Sequence, residues 1–276
     1  MANMMFEKVQ RWVKSFLPFY LLTFLPLTVR AQIGEYRNEF AVGVNGGIVL
    51  SSVDFVPEVP QNQLFGKTFG MSLRYTGEKY FNSICAIVGE LNFAQMGWEE
   101  RIWDGNDEPV VNDDTGLKEE YCRKVDYIQM PLFARLGWGR ERRGFQFFFH
   151  VGPQVGFYLK EKSEYNFDLD NPNWNQRVSH ISGPDIYQDG KLFPFSNMYH
   201  KPIENKFDYG IAVGLGLEFS RPHFGHFMVE GRFYYGLGNV YGSSKRDYFA
   251  KSDYQTIYVK ATYLFDIVKS KNPKIK

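Results

Sequence analysis

Seven charged side chains raise the first chemical question. Arg74, Glu90, Arg135, Glu218, Glu230, Arg232 and Lys260 each stand in stretches otherwise apolar or rich in glycine. Charges of both signs in such surroundings can line a water path or pair into a plug. A second cluster has the residue types of a hydrolase: Ser179 and His180 are adjacent and Asp185 follows. A nucleophile needs its base within hydrogen-bond reach, and adjacent residues of an extended loop point apart. A rim hydrolase would therefore require some other Ser or Asp beside a His. A third cluster is acidic. Between residues 99 and 120, Glu99, Glu100, Asp104, Asp107, Glu108, Asp113, Asp114, Glu119 and Glu120 face only Arg101 and Lys118. That is a solvated loop, or one that bridges divalent cations or docks a basic partner. A long polar segment, 161–206, carries Trp174, Tyr187, Phe193, Phe195 and Tyr199, aromatics suited to binding protein or glycan. No HExxH, CxxC or paired-His spacing occurs, and the GLG triplets at 214–216 and 236–238 open no helix. The sequence therefore predicts neither a metal site nor a cofactor.

What positions these residues is a strand repeat. In FDYGIAVGLGLEFS, Phe207, Tyr209, Ile211, Val213, Leu215, Leu217 and Phe219 alternate with Asp208, Gly210, Ala212, Gly214, Gly216 and Glu218. Period two sends successive side chains to opposite faces of a strand. The same alternation runs through FQFFFHVGPQVGFYL, FMVEGRFYYGL and TIYVKATYLF. It runs less strictly through FAVGVNGGIVL, FGMSLRY, CAIVGELNF and YIQMPLFARLGW. Eight strands result, each long enough to cross a bilayer, which takes about 9–11 tilted residues. The connections alternate too. Short turns at GEKYFN, GRERRG and RPHFG take turns with long segments near 56–67, 99–120, 161–206 and 240–253. An all-β, eight-stranded antiparallel up-and-down transmembrane barrel has this form, with short periplasmic turns and long extracellular loops.

The polar face is rich in Gly and carries few charges, unlike a soluble exterior. It suits the interior of an eight-strand barrel, just wide enough for side chains to fill. The bulky face then meets lipid. Only a closed sheet pairs every backbone group in hydrocarbon, and a strand out of register would send its charges into the bilayer. The expected pairs inside are Arg74 with Glu90, and Glu230 with Arg232 and Lys260. Interfacial aromatics are expected at Tyr75, Trp138, Phe145, Phe219 and Phe265 on the short-turn side. On the long-loop side they are expected at Trp98, Tyr127, Phe157, Phe207 and Tyr235.

The N-terminus reads as an export signal. Lys8, Arg11 and Lys14 precede SFLPFYLLTFLPLTV, and Val29 and Ala31 supply the small residues a signal peptidase needs. The expected division is a cleaved signal peptide, 1–31, a barrel, 32–268, and a basic tail, 269–276. Cleavage leaves 28 of 32 basic and 30 of 31 acidic residues, a balance of −2, which points away from nucleic acid. Cys85 and Cys122 fall at opposite ends of neighbouring strands, too far apart for a disulfide.

The order of the motifs YIQMPLFARLGW, HVGPQVGFYL, FDYGIAVGLGLEF and VEGRFYYGLGNV resembles the PorT-like family of small outer-membrane barrels. Residues 127–132 and 152–156 match its Tyr-hydrophobic-x-hydrophobic-Pro-Leu and Gly-Pro-x-hydrophobic-Gly patterns. The resemblance implies a Gram-negative outer-membrane protein in contact with lipid. The family's namesake serves type IX secretion. Phe265 departs from the usual terminal aromatic, because DIVKSKNPKIK follows it. The expected role is a non-enzymatic barrel that presents loops to envelope proteins or extracellular glycan. An accessory part of a secretion apparatus is the first alternative, and a rim-located envelope hydrolase the second.

Overall fold

The computed structural model describes residues 35–80, 83–102, 108–112, 115–140, 143–167, 186–188, 191–193, 199, 201–222, 224–243, 247 and 249–268. The signal-peptide and tail assignments, 1–31 and 269–276, lie outside them.

The strands in chain order are β1 (Glu35–Val56), β2 (Gln61–Asn62), β3 (Leu64–Tyr80), β4 (Ser83–Arg101), β5 (Glu120–Gly139) and β6 (Gly144–Tyr165). They continue as β7 (Ile186–Gln188), β8 (Lys191–Phe193), β9 (Phe207–Arg221), β10 (Gly225–Asn239) and β11 (Lys251–Val268). The eight long ones form a ring, β1-β3-β4-β5-β6-β9-β10-β11, in which β11 returns to β1 and β4 pairs β5. Every pairing in the ring is antiparallel. This is a closed up-and-down barrel. The two-residue β2 pairs the outer end of β4 at Glu99 and Glu100. Strands β7 and β8 make a separate small hairpin.

In β9, exposure alternates at every position from Phe207 to Glu218, with the bulky residues outward. β10 alternates likewise from Phe227 to Gly238. The outward band of Phe69, Met71, Leu73, Ile87, Leu91, Met130, Leu132, Val213, Leu215, Val229, Phe233, Ile257 and Val259 stays exposed. A closed barrel that turns a continuous apolar band outward turns it to lipid.

Inside, glycines on one strand face large side chains on the next. His150 pairs in register with Gly214, and Phe148 with Gly216. A Cβ at Gly214 would overlap the His150 ring, and one at Gly216 would lie 2.6 Å from Phe148 Cζ. The small face of β9 is the space that the β6 side chains fill.

The strands outrun the bilayer. The 20 residues of β5 span about 66 Å along the strand, or roughly 50 Å along the barrel axis at the usual tilt. The hydrocarbon-facing band of such barrels is about 25 Å tall. The excess lies at the long-loop end. There β6 continues to Tyr165, paired with Tyr121, through the EKSEY stretch at the start of the expected 161–206 loop. Both faces of this extension meet water or loops, so no greasy alternation marks it.

Cys85 pairs with Leu136, while Cys122 pairs with Glu99, 14 residues further along β4. At ~3.3 Å per residue the two thiols are about 46 Å apart, and no disulfide joins them.

Candidate functional site

Three layers of polar side chains fill the barrel. At the centre, Arg232 donates to both oxygens of Glu90 at 3.1 and 3.0 Å and to Glu230 at 2.5 Å. Lys260 donates to Glu90 at 2.8 Å. Two anions and two cations balance there. Glu90 on β4 and Arg232 on β10 are four strands apart in the ring of eight, so the pair bridges opposite walls. His150 stacks on Phe133 at 4.3 Å beside this cluster, and Arg232 lies 4.4 Å from the same ring.

Toward the short turns, Glu218 accepts from Arg74 at 2.9 Å and from Arg135. Arg74 and Glu218 also stand four strands apart. The expected pair of Arg74 with Glu90 is therefore corrected: Arg74 takes Glu218, and Glu90 takes Arg232 and Lys260. Strand stagger around a closed barrel decides which charges share a level, and alternation within one strand carries no record of it. Glu218 and the six expected network residues Arg74, Glu90, Arg135, Glu230, Arg232 and Lys260 are all buried.

Ser220 and His226 also lie at this end. Ser220 Oγ is 2.8 Å from His226 Nδ1, and His226 Nε2 is 3.0 Å from Asp266. This has the outline of a Ser-His-Asp triad. However, Nδ1 also faces Glu218 at 2.6 Å, and Ser220 donates to that same carboxylate at 3.1 Å. An imidazole held between two carboxylates uses both nitrogens as donors and keeps no lone pair to take the Ser220 proton. The cluster ties β9, β10 and β11 together instead. Ser179, His180 and Asp185 lie outside the described residues.

Above the bilayer a third cluster caps the lumen. Trp98 and Tyr127, expected as lipid-facing aromatics, are instead buried inside. Both share strand parity with the lumen face, Trp98 with Glu90 and Tyr127 with Arg135, and parity overrides the girdle expectation. Trp98 Nε1 donates to Glu100 at 2.7 Å, and the Tyr199 hydroxyl donates to the other oxygen at 2.7 Å. Arg123 donates to the hydroxyls of Tyr121 and Tyr241 at 2.7 and 2.5 Å. It also donates to the carbonyls of Tyr199 and Lys201 at 2.9 and 2.8 Å. One guanidinium on β5 thus fastens the end of the 166–206 connection and the start of the 240–250 connection over the mouth. Glu100 lies nine residues beyond Leu91, the last exposed apolar residue of β4, and so outside the membrane band. Burial pushes its carboxyl up to about 7. Burial, with Glu100 next, also holds the Tyr199 hydroxyl well above its ordinary range, so it remains a donor.

Tyr199 was expected among the loop aromatics offered to a partner. It is buried, its ring tilted against that of Tyr121 at 4.5 Å, and belongs to the cap. Tyr187 and Phe193 fall in the β7–β8 hairpin. Trp174 and Phe195 lie outside the described residues, as do Asp104, Asp107, Asp113 and Asp114. Glu108 is exposed. Sequence reading missed Arg123, whose partners in the two connections lie 76 to 118 residues away. Its one legible mark was a cation on the lumen face of a strand otherwise lined there by Tyr121, Val125 and Tyr127. Among the described residues no cluster of His, Cys, Asp and Glu is arranged to hold a metal.

A model of the family described as outer membrane protein beta-barrel domain matches residues 30–242. No curated protein matches. Among solved structures, Ail of Yersinia pestis, in complex with the heparin analogue sucrose octasulfate, is 16% identical; the match covers 82% of this chain and 99% of that one, at a TM-score of 0.33. OprG of Pseudomonas aeruginosa is 12% identical over 84% and 98%, at 0.37. Neisserial surface protein A is 8% identical over 82% and 97%, at 0.33.

Proposed function

The chain belongs to the outer membrane protein β-barrel domain family, and on that premise we propose that it is a non-enzymatic anchor that holds binding loops above the outer membrane. One observation carries this reading. The lumen is bridged wall to wall by Glu90–Arg232 and Arg74–Glu218, and Arg123 closes its mouth. A filled barrel offers no wide path for solute, so what varies with function is the material on the rim. The strand extension beyond the bilayer raises that rim and gives the long 166–206 connection a rigid base. The partner is an envelope protein or an extracellular glycan, met by the segment that includes Trp174, Tyr187, Phe193 and Phe195 and by the acidic 104–114 stretch.

The test pairs two measurements on the mature protein. In planar bilayers it should give no stable conductance steps. Cells expressing a variant lacking 168–198 should lose adhesion to protein- or glycan-coated surfaces while the barrel still inserts. Regular open-channel steps, or adhesion untouched by the deletion, would overturn the proposal. The resemblance to PorT-like barrels makes a definite contrary outcome available: co-purification of the native protein with secretion machinery would place it in an export apparatus.

A further inference from the structure

The short-turn end carries charge that the barrel does not use. The turns GRERRG and RPHFG hold four arginines against one glutamate. Strands β6 and β9 pair from Gly144 and Ser220 onward, so these two turns lie side by side. Between them is an open concavity of about 550 Å³ lined by Arg143, Gly144, Phe219, Ser220, Arg221 and Pro222. Arg143 and Arg221 are both exposed. Neither has a carboxylate partner among the described residues, unlike Arg74, Arg135 and Arg232 inside the barrel.

The surroundings fix what kind of ligand fits. Phe145 and Phe219 contact each other at 5.1 Å on the outer wall beside the concavity, at the lower margin of the lipid-facing band. Phe145 is 68% exposed. A ligand seated here meets two guanidiniums at the water side and an aromatic shelf at the hydrocarbon side. Guanidinium matches the planar, two-oxygen face of a phosphate diester, and an aromatic face beneath it suits the glycerol and upper acyl carbons. A soluble anion would use only the first half of that site.

We propose that Arg143 and Arg221 form a headgroup site for an anionic phospholipid of the periplasmic leaflet. The site sits on the turn side, away from the loops that serve the proposed function, so either reading can fail alone. Bound lipid would hold the β5–β6 and β9–β10 turns at the membrane surface and set the depth of the barrel.

The test uses the mature protein in phosphatidylcholine nanodiscs containing a tenth of phosphatidylglycerol or cardiolipin. Retained lipid is counted by native mass spectrometry after release into detergent. Each basic residue near an anionic lipid surface contributes on the order of a factor of five, so the variant R143Q/R221Q should retain anionic lipid about twenty-fivefold less well. R143K/R221K, which keeps the charge and loses the two-pronged geometry, should fall between. K160Q/K162Q removes two positive charges from the opposite end of β6 and should change nothing. Gel mobility before and after heating reports that each variant is folded. Equal retention in R143Q/R221Q and the parent protein would overturn the proposal. So would equal loss in the lysine control, or complete displacement of the lipid by millimolar inorganic phosphate.

Discussion

Replacing Glu90 by Gln isolates the central ion cluster. In the native protein, Glu90 accepts two hydrogen bonds from Arg232, one from Lys260 and one from Asn92 at 2.8 Å, with its side chain 3% exposed. Glu90 and Glu230 balance Arg232 and Lys260. The amide keeps the volume but leaves the cluster with one uncompensated positive charge. Removing one partner of a buried pair costs about 3–5 kcal/mol, because the remaining ion stays desolvated. The full figure should apply here, since the central side chains are packed between Phe133, His150 and Tyr258. The assay is reversible urea unfolding in phospholipid vesicles, followed by fluorescence and by gel mobility. Adding K260M to E90Q restores neutrality and should recover at least half of the loss, a coupling visible in a double-mutant cycle. A loss below about 1 kcal/mol for E90Q would mean that water reaches the cluster. The lumen would then be hydrated rather than filled by side chains.

Two further perturbations probe the wall and the cap. Leu215 faces lipid near the middle of β9, so L215R should destabilise the barrel by about 2–4 kcal/mol in the same titration. Glu100 should make the cap sensitive to pH. Its carboxyl is raised to about 7, so the folded cap keeps a proton that the opened cap releases. Cap stability should be full below pH ~4.5, fall as pH rises through about 7 and level off above it. The protection of amides 96–102, exchange being taken relative to the base-catalysed rate of the open chain, should fall across that window in the native protein and stay flat in E100Q.

The barrel was legible in the sequence because the bilayer enforces a rule at every second residue. β9 and β10 obey it without exception, since a single charged side chain turned outward would enter hydrocarbon. The network was legible only as membership. Arg74 and Glu218 lie on the correct face, but their meeting depends on stagger around the ring, a property of closure that no single strand records. The cap was least legible. Trp98 and Tyr127 sit where aromatics of a girdle also sit, and only their parity with Glu90 and Arg135 separates the two roles. Tyr199 comes from a connection whose composition marks it as exposed. Its burial follows from Arg123 and Glu100, which are distant in sequence.

The whole account rests on lipid contact by the bulky face of β9. The direct measurement is a cysteine scan from Phe207 to Ser220 in a C85S/C122S background, with nitroxide labels and the protein in bilayers. Collision with oxygen, which concentrates in hydrocarbon, should rise and fall with period two, peaking at Ile211, Val213, Leu215 and Leu217. Labels at the inward positions Asp208, Ala212 and Ser220 should be shielded; Gly210, Gly214 and Gly216 stay native, because even a Cβ there would meet its neighbours. Uniform access to a water-soluble relaxation agent across the segment, or oxygen peaks on the inward positions, would contradict it.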